Sequence, residues 1–335
     1  MGVAAKQFHN PDDRKNTLAY RVRPYDEQLE TQMERWNDLA EILLDKLRND
    51  VGKPASSWLQ GSYKFGTQIR PAHSNEEFDI DLGVYLEWRG EPEDGGIDPL
   101  DLKNRVQKIL EDYADDPTTD ATKAEKPKAR CNRVTFSGSF HIDVPSYHLD
   151  RGGDRRDLAT EDGTWENSDP KAIYVWWKDQ HEGAERDRAR RLVRYIKMWA
   201  ALKFNNASRP SSILLTVMVA EALKDIDSED LAGDDEFLEA VIKKIHTRLK
   251  RSSIVRNPRN RSEDLNRMGQ DDFDGFIDGL DKLIEIAGRA LVAEDAYTSS
   301  EIWSEAFSHF FPLPEQETLA LAKEARDERS LPFSA

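Results

Sequence analysis

The fold is decided by the stretch LQGSYKFGTQIRPAHSNEEFDIDLGVYLEW, residues 59–88, in which a Gly-Ser turn precedes an Asp-Ile-Asp triplet. Residues two apart on a strand point the same way, so the triplet places Asp79 and Asp81 on one face, roughly 7 Å apart. Two ionised carboxylates at that separation repel each other unless a cation lies between them. Oxygen ligands of this kind suit Mg²⁺. An exposed strand with alternating polar residues gives the same pattern, so a metal site requires a further ligand.

A third carboxylate occurs in SFHIDVPSYHL, residues 139–149. Asp143 has apolar and β-branched neighbours there, although Asp is poor in strand interiors and costly to bury without a partner. If this segment pairs with the first strand, Asp143 joins Asp79 and Asp81. Three carboxylates can hold two Mg²⁺ ions about 3.5–4 Å apart, the arrangement for in-line phosphoryl transfer. His141 and His148 flank the same segment, but isolated histidines without paired spacing are weak metal candidates.

The Gly-Ser turn suits a phosphate. Gly61 has no side chain to block close approach, and Ser62 can donate its hydroxyl and its backbone N–H. If Ser62 caps a short helix through Tyr63–Thr67, the helix N-terminus adds partial positive charge. A Gly-Ser pair alone does not indicate a phosphate site. It does so here only because it precedes Asp79 and Asp81.

Composition excludes several classes of protein. Lys and Arg number 48 against 64 Asp and Glu, a net charge of −16. Such a surface repels long nucleic acid, which is bound through Lys and Arg. No apolar run approaches the ~20 residues of a membrane helix, and the start MGVAAKQFHN lacks a signal-peptide apolar segment. We therefore predict a cytoplasmic protein without a membrane partner. The single cysteine, Cys131, excludes an internal disulfide and a Cys-based zinc site.

Six stretches in order resemble the cGAS/DncV-like nucleotidyltransferases, bacterial members of the polymerase-β-like superfamily that make cyclic oligonucleotide signals in anti-phage defence. They are QGSYKFGTQIRP (60–71), DIDLGVYL (79–86), HIDVPSY (141–147), WENSDPKAIYVWW (165–177), RLVRYIKMWA (191–200) and RPSSILL (209–215). The resemblance implies an α+β fold. A polymerase-β-like lobe with a small mixed sheet and a long N-terminal spine helix would face a helical lobe across a cleft.

The chain pattern agrees with two lobes. Pro24–Val51 has the periodicity of one long amphipathic helix, and the segments after it alternate between strand and helix patterns. A polar connector from about residue 150 leads into helical patterns. We predict a nucleotidyltransferase catalytic lobe over 1–165, a helical lobe closing the nucleotide site over 166–320, and a flexible C-terminal tail over 321–335.

The resemblance also implies roles for particular residues. Asp79, Asp81 and Asp143 would hold both metals, with Asp143 helping to deprotonate the attacking hydroxyl. The donor nucleotide would lie on Gln60, Gly61, Ser62, Tyr63, Lys64 and Phe65, of which the first three grip the triphosphate.

Further nucleotide contacts are implied outside that stretch. Arg133 falls where the family has an Arg near the acceptor nucleotide, and Ser168 corresponds to a nucleotide-contacting Ser. Lys197 and Ser212 would hold the far phosphates from the helical lobe. Judged on its own, Lys197 is either a solvated helix lysine or, given the small apolar residues on its side of the helix, a lysine that faces a cleft. A plain N-cap explains Ser211 or Ser212.

The implied activity is Mg²⁺-dependent, with two ions for which Mn²⁺ can substitute. The enzyme would join ATP and GTP into cyclic GMP–AMP, which acts on a separate effector in antiviral (CBASS) signalling. In related systems a ligation enzyme attaches the C-terminus to other proteins, and a loose tail permits this here. The alternatives are another cyclic di- or trinucleotide, or a non-cyclising polymerase-β-like nucleotidyltransferase acting on protein or RNA. Base choice and 3′–5′ versus 2′–5′ linkage depend on ångström-scale placement of bases and sugars.

Overall fold

A computed structural model of the chain describes residues 2–138, 140–227 and 231–314. The α-helices are α1 (Ala5–Phe8), α2 (Leu18–Val22), α3 (Asp26–Val51), α4 (Gly61–Phe65), α5 (Pro99–Asp115), α6 (Pro170–Lys178), α7 (Gly183–Lys203), α8 (Ser212–Lys224), α9 (Asp234–Arg251), α10 (Gln270–Leu291) and α11 (Ala296–Phe307). The strands are β1 (Ala55–Gln60), β2 (Phe78–Glu87), β3 (Ala121–Ala124), β4 (Asn132–Phe136), β5 (Phe140–Val144), β6 (Ser146–Asp150), β7 (Arg155–Ala159) and β8 (Trp165–Asn167). The predicted tail over 321–335 lies outside the described residues.

Two compact units divide the chain. The sheet unit comprises Pro24–Gln180 with Pro258–Arg261. The helical unit comprises the described residues of Met1–Arg23, His181–Asn257 and Ser262–Ala335. The mixed α+β class is confirmed, whereas the predicted lobe boundaries and the cleft stay predictions.

One mixed sheet contains the eight strands of the described residues, with β2 at its centre. β1 runs antiparallel to β2, and β5 and β6 both run parallel to β2, at Phe78–Asp81 and Val84–Glu87. Pro145 separates β5 from β6. Its carbonyl accepts from the Val84 N–H at 3.0 Å, but its own nitrogen has no hydrogen to donate, so the ladder breaks there. β4 and β3 continue the sheet beyond β5, and β7 and β8 continue it beyond β6.

The alternation predicted for β2 is present. Phe78, Ile80 and Leu82 are buried in the core, while Asp79 is exposed and Asp81 half-buried. Odd and even positions on a strand point to opposite faces. The two carboxylates therefore share the face that the core does not occupy.

The long helix α3 covers the core side of the sheet. Its apolar stripe, which includes the fully buried Leu39, Leu43 and Leu47, joins the same cluster as the buried residues of β2 and α5. The helix begins after Tyr25, whose backbone N–H donates to the Gln28 side chain at 2.8 Å, and such capping satisfies a donor that the helix leaves open. It ends at Val51 and is capped by Gly52, which has the left-handed conformation with φ 66°.

The region predicted as a polar connector contains β7 and β8 instead. Two of its charged residues are buried, each with partners of opposite sign: Arg156 donates to Asp169 at 2.8 Å and to Asp154 at 2.9 Å, and Asp157 lies 2.9 Å from Arg155. Burying a charge is tolerated when a partner of opposite sign is present. The sequence pattern does not show which partners the fold supplies. A segment with this many charged residues therefore has the pattern of a loop.

The helical unit is built around aromatic packing. Phe8 packs edge-on against Tyr195 and Trp303, at ring centroid distances of 5.5 and 4.8 Å. Asp234 accepts from Arg191 at 2.6 and 2.9 Å and from the Tyr195 hydroxyl at 2.9 Å. Within the part of the chain that the structure describes, no helix combines the length and apolar character needed to cross a membrane.

Candidate active site on the mixed sheet

Strand register arranges polar residues in two rows on the face opposite the core. The first row runs across β1, β2, β5 and β4 as Gln60, Asp81, Asp143 and Arg133. In the second row Asp79 of β2 is paired with His141 of β5. The parallel pairing of β2 with β5 thus sets two residues of each strand side by side.

Three of these side chains converge. Asp79, His141 and Asp143 each offer a ligand atom, and the three atoms lie within 4.8 Å of one another. This places Asp143 beside Asp79, as the sequence predicts. Asp81 is not one of the three, and His141, which the sequence analysis ranks as a weak metal candidate, is. The donor set of two carboxylates and an imidazole fits a divalent metal ion.

The imidazole of His141 lies between two carboxylates and is only 7% exposed. Its Nδ1 is 2.8 Å from Glu77 Oε2. Its Nε2 is 3.0 Å from Asp79 Oδ1, yet this buried nitrogen has no hydrogen-bond partner of acceptable geometry. A buried polar atom without a partner is rare in folded proteins and calls for an explanation.

Arg133 holds Asp143 through two parallel hydrogen bonds, of 2.5 and 2.8 Å, and Lys128 lies 3.9 Å away. Burial by itself would raise the pKa of Asp143, but the hydrogen bonds and charge of Arg133 outweigh burial and lower it. Asp143 is therefore ionised near neutral pH. The predicted contact of Arg133 with an acceptor nucleotide stays a prediction, since its observed partner is this carboxylate.

Cys131 lies beside the same carboxylate. Burial first, and then the charge of Asp143, raise the pKa of its thiol to about 12. The thiol is therefore protonated at neutral pH and is a poor nucleophile. This agrees with direct transfer between substrates rather than a covalent enzyme intermediate.

The Gly-Ser turn touches the carboxylates directly. Gly61 has φ +56°, and a Cβ built on it would lie 1.8 Å from Asp81 Oδ2. Glycine is required here both for the left-handed backbone and for the close approach of Asp81. The expectation that Ser62 caps a helix over Tyr63–Thr67 is wrong: α4 begins at Gly61 with Gln60 as its cap residue, and Ser62 lies in the first turn.

Gln60 is engaged inside the sheet. It is 7% exposed; its Nε2 donates to the Tyr85 hydroxyl at 2.8 Å, and its Oε1 accepts from the Tyr147 hydroxyl at 3.1 Å. Gly83 leaves room for this network, because a Cβ there would lie 2.0 Å from Gln60 Nε2. The predicted grip of Gln60 on a triphosphate stays a prediction, while its observed contacts fix the start of α4. The backbone N–H of Ser168 donates to the Arg156 carbonyl oxygen at 3.1 Å, and the predicted nucleotide contact of this serine stays a prediction.

The other predicted residues of α4 pack within the sheet unit. Lys64 Nζ lies 4.2 Å from the centre of the Trp58 ring, a cation–π contact. Phe65 is buried against Tyr174, at a ring distance of 5.5 Å, and Tyr63 is partly buried against the main core. Their roles toward a nucleotide stay predictions.

Lys197 and Ser212 belong to the helical unit. Lys197 lies on α7 and is 7% exposed, so the alternative of a solvated lysine is wrong. Ser212 is the exposed first residue of α8, and Ser211 caps that helix by accepting from the Leu214 N–H at 3.3 Å. Neither position tests the predicted phosphate contacts.

A cluster of metal-ligating side chains beside a Gly-Ser turn on a mixed sheet is the arrangement of a nucleotidyltransferase. A family model described as "Cyclic GMP-AMP synthase DncV-like, nucleotidyltransferase domain" matches residues 55–147. That range begins with β1 and reaches into β6. It contains Asp79, Asp81 and Asp143 together with the Gly-Ser turn.

Curated relatives agree with this match. A cyclic GMP-AMP synthase from Escherichia albertii is 31% identical over 308 residues, which is 91% of this chain and 66% of the relative. One from Escherichia coli is 29% identical over 247 residues, 59% of this chain and 54% of the relative. A c-di-GMP synthase from Roseivirga ehrenbergii is 25% identical over 288 residues, 71% of this chain and 72% of the relative. The chain thus spans between about half and two thirds of the length of the two cyclic GMP-AMP synthases.

The fold agrees as well. The crystal structure of Vibrio cholerae DncV, a cyclic AMP-GMP synthase in complex with nonhydrolyzable GTP, superposes with a TM-score of 0.76 at 20% identity, covering 94% of this chain and 98% of that one. DncV has also been solved with the linear intermediate pppA(3′,5′)pG. The chain belongs to the cGAS/DncV-like nucleotidyltransferases.

Proposed function

We propose that this protein joins ATP and GTP into the cyclic dinucleotide cyclic GMP–AMP, which acts on a separate effector as an antiviral signal in the cytoplasm. The observation that carries the proposal is the convergence of Asp79 and Asp143 on a sheet face where Asp81, the register partner of Asp143, adjoins the Gly-Ser turn. Membership of a cyclase family supports it, since relatives are named cyclic GMP-AMP synthase and c-di-GMP synthase.

The side chains of the sheet unit suit this chemistry. Asp79 and Asp143, with Asp81 alongside, would hold Mg²⁺ ions, which activate an attacking hydroxyl and stabilise a leaving pyrophosphate. Arg133 keeps Asp143 ionised, so that this carboxylate can take up the hydroxyl proton. Gly61 lets the Gly-Ser turn lie directly against the Asp81 carboxylate, so a phosphate bound at the turn would lie beside the carboxylates that hold the metal ions.

Each of the two steps is a phosphoryl transfer with a simple balance. A ribose hydroxyl oxygen of one nucleotide attacks the α-phosphorus of the other, and the bond from that phosphorus to the oxygen bridging to the β-phosphate breaks. Pyrophosphate leaves with the electron pair, and the hydroxyl proton passes to a carboxylate. Repeating the step within the linear product closes the ring, so two triphosphates give one cyclic dinucleotide and two pyrophosphates.

The test is product analysis with labelled ATP, GTP, CTP and UTP in the presence of Mg²⁺ or Mn²⁺, followed by mass identification. A phosphatase-resistant cyclic dinucleotide containing G and A is expected. The Asp79→Asn/Asp143→Asn double variant should make none, whereas Asp50→Asn, an exposed position on α3, should retain full activity. Another cyclic product would overturn the choice of bases. Label transferred to protein or RNA would overturn cyclisation itself.

A further inference from the structure

His141 has one nitrogen that the fold leaves without a hydrogen bond and directs at the metal-ligating carboxylates. We propose that His141 is a direct nitrogen ligand of the metal position formed with Asp79 and Asp143, and that it makes this position prefer a first-row transition ion such as Mn²⁺ over Mg²⁺. The inference concerns the same site as the proposed function and rests on it. Its readout, however, is the coordination of the ion.

The distance between His141 and Asp79 is that of two ligands on one ion. Donor atoms bound at right angles to a common ion, with bonds of about 2.1 Å, are about 3.0 Å apart. His141 Nε2 and Asp79 Oδ1 are 3.0 Å apart without hydrogen-bond geometry. Since the residue is only 7% exposed, water is a poor alternative partner for that nitrogen.

Glu77 fixes which nitrogen is free. A carboxylate only accepts hydrogen bonds, so the contact of Glu77 with Nδ1 at 2.8 Å places a proton on Nδ1. In the tautomer with this proton on Nδ1, the lone pair is on Nε2, the atom that faces Asp79. A carboxylate that orients a histidine from behind is the usual support of a metal-bound imidazole.

Asp143 can serve the same ion while Arg133 holds it. An ionised carboxylate has about four lone-pair sites, and Arg133 uses two of them. The charge of Arg133 also offsets one of the two carboxylate charges. The position thus offers two carboxylates, one of them partly neutralised by Arg133, and one imidazole nitrogen. This set is less suited to Mg²⁺, which prefers oxygen, than to transition ions.

The experiment uses pulsed electron paramagnetic resonance with Mn²⁺ alone as the probe, added below one equivalent to the full chain. A directly bound imidazole gives ¹⁴N modulation of the Mn²⁺ echo, and the modulation changes to the ¹⁵N pattern in protein labelled with ¹⁵N-histidine. Both results are expected for the unmodified protein. This measurement needs no variant, so it does not depend on the folding of one.

Two variants then assign the nitrogen. In His141→Gln the ¹⁴N modulation should vanish and the Mn²⁺ affinity should fall at least about tenfold, with the Mg²⁺ affinity changed less than about threefold. The matched control is His148→Gln, because His148 is also buried beside an aspartate but both of its nitrogens are hydrogen-bonded. That variant should keep the modulation in its folded fraction.

Several results would overturn the inference: no Mn²⁺ binding by the unmodified protein, bound Mn²⁺ without nitrogen modulation, or modulation that persists in His141→Gln. Failure of the proposed function looks different. Nitrogen-coordinated Mn²⁺ in a protein that makes no cyclic product would reject the function alone, and cyclic product from a protein whose Mn²⁺ has no nitrogen ligand would reject the inference alone.

Discussion

Two buried histidines of the same sheet, His141 in β5 and His148 in β6, have similar neighbours and different outcomes. His148 Nδ1 lies 3.3 Å from Asp157 Oδ2, its Nε2 lies 3.1 Å from the Trp88 carbonyl oxygen, and its ring stacks on Trp88 at 4.1 Å. His141 has Glu77 at Nδ1, but its Nε2 makes no hydrogen bond. Both ring nitrogens of His148 are hydrogen-bonded, whereas only Nδ1 of His141 is.

The same difference extends to the aspartates beside them. Asp157 is 1% exposed and lies between His148 and Arg155, so its negative charge is compensated inside the fold. Asp79, beside His141, is exposed. The comparison teaches that burial of a polar cluster is a structural feature when its members satisfy one another. At His141 the unsatisfied Nε2 and the exposed Asp79 also lie within 4.8 Å of a ligand atom of Asp143, and this convergence of three possible ligand atoms indicates a binding site.

The largest effects are expected when one aspartate of each region is replaced by asparagine. Asp143→Asn should lower cyclase activity per folded protein on the order of a thousandfold, the scale for losing a group that stabilises transition-state charge, and should also lower the free energy of unfolding, because it breaks the ion pair with Arg133. Asp157→Asn should lower the free energy of unfolding by about 3 kcal/mol, because it breaks a buried charge pair. Initial rates per folded protein and denaturant unfolding curves measure both effects.

An Asp157→Asn protein that folds as well as the parent, or an Asp143→Asn protein that keeps its activity, would remove the distinction between the two regions. The remote surface variant Asp50→Asn serves as the baseline for both measurements.

A second test changes the glycine that adjoins the open region. Gly61→Ala puts a methyl group 1.8 Å from Asp81 Oδ2, so the turn or the carboxylate must move. A displacement of about 1 Å at a reacting centre can cost on the order of a hundredfold in rate, and this is the loss of kcat/KM that we expect.

The matched control is Gly52→Ala, since that glycine has φ +66° but no atom within 4 Å of a Cβ. Both variants carry the left-handed strain of about 1 kcal/mol, measured as a lower free energy of unfolding. Only Gly61→Ala should lose activity. Equal activity in the two variants would show that the contact of the turn with Asp81 has no catalytic role.

The sequence predicts the parts of this site that obey local rules. Alternation along β2 fixes the common face of Asp79 and Asp81, and the apolar surroundings of Asp143 indicate a buried carboxylate with a partner. The same rule of two, applied to β5, puts His141 on the face of Asp143, and that signal could have found the histidine. This alternation is weak evidence for a metal ligand, because a single histidine has no spacing pattern typical of metal sites.

What the sequence could not provide is the register between strands. The pairing of Asp79 with His141 and of Asp81 with Asp143 depends on how β5 lies along β2, which follows from core packing over the whole sheet. The hydrogen bond between Gln60 and Tyr147 likewise joins residues 87 positions apart. The charged strand β7 does not follow from the sequence pattern, because burial of Arg156 and Asp157 also depends on Asp169 and His148, which the fold brings to them from outside the strand.

The smallest expected effect concerns the network behind the turn. Burial raises the pKa of Tyr147, so its hydroxyl stays protonated and donates to Gln60, while its ring stacks on Tyr85 at 4.7 Å. Tyr147→Phe keeps the stack but leaves the buried Gln60 oxygen without this donor, which should cost about 1 kcal/mol of unfolding free energy. If the network positions the turn, kcat/KM should also fall, by about three- to tenfold.

Tyr113→Phe is the control that separates stability from positioning. The Tyr113 hydroxyl donates to Asp38 at 2.7 Å between α5 and α3, so its removal should cost a similar unfolding free energy and leave the rate per folded protein unchanged. A fall in kcat/KM confined to Tyr147→Phe would show that the buried hydrogen bonds of Gln60 contribute to activity as well as to stability. Equal rates in the two variants would instead place Gln60 and its tyrosines with His148 and Asp157, as polar groups that serve only the fold.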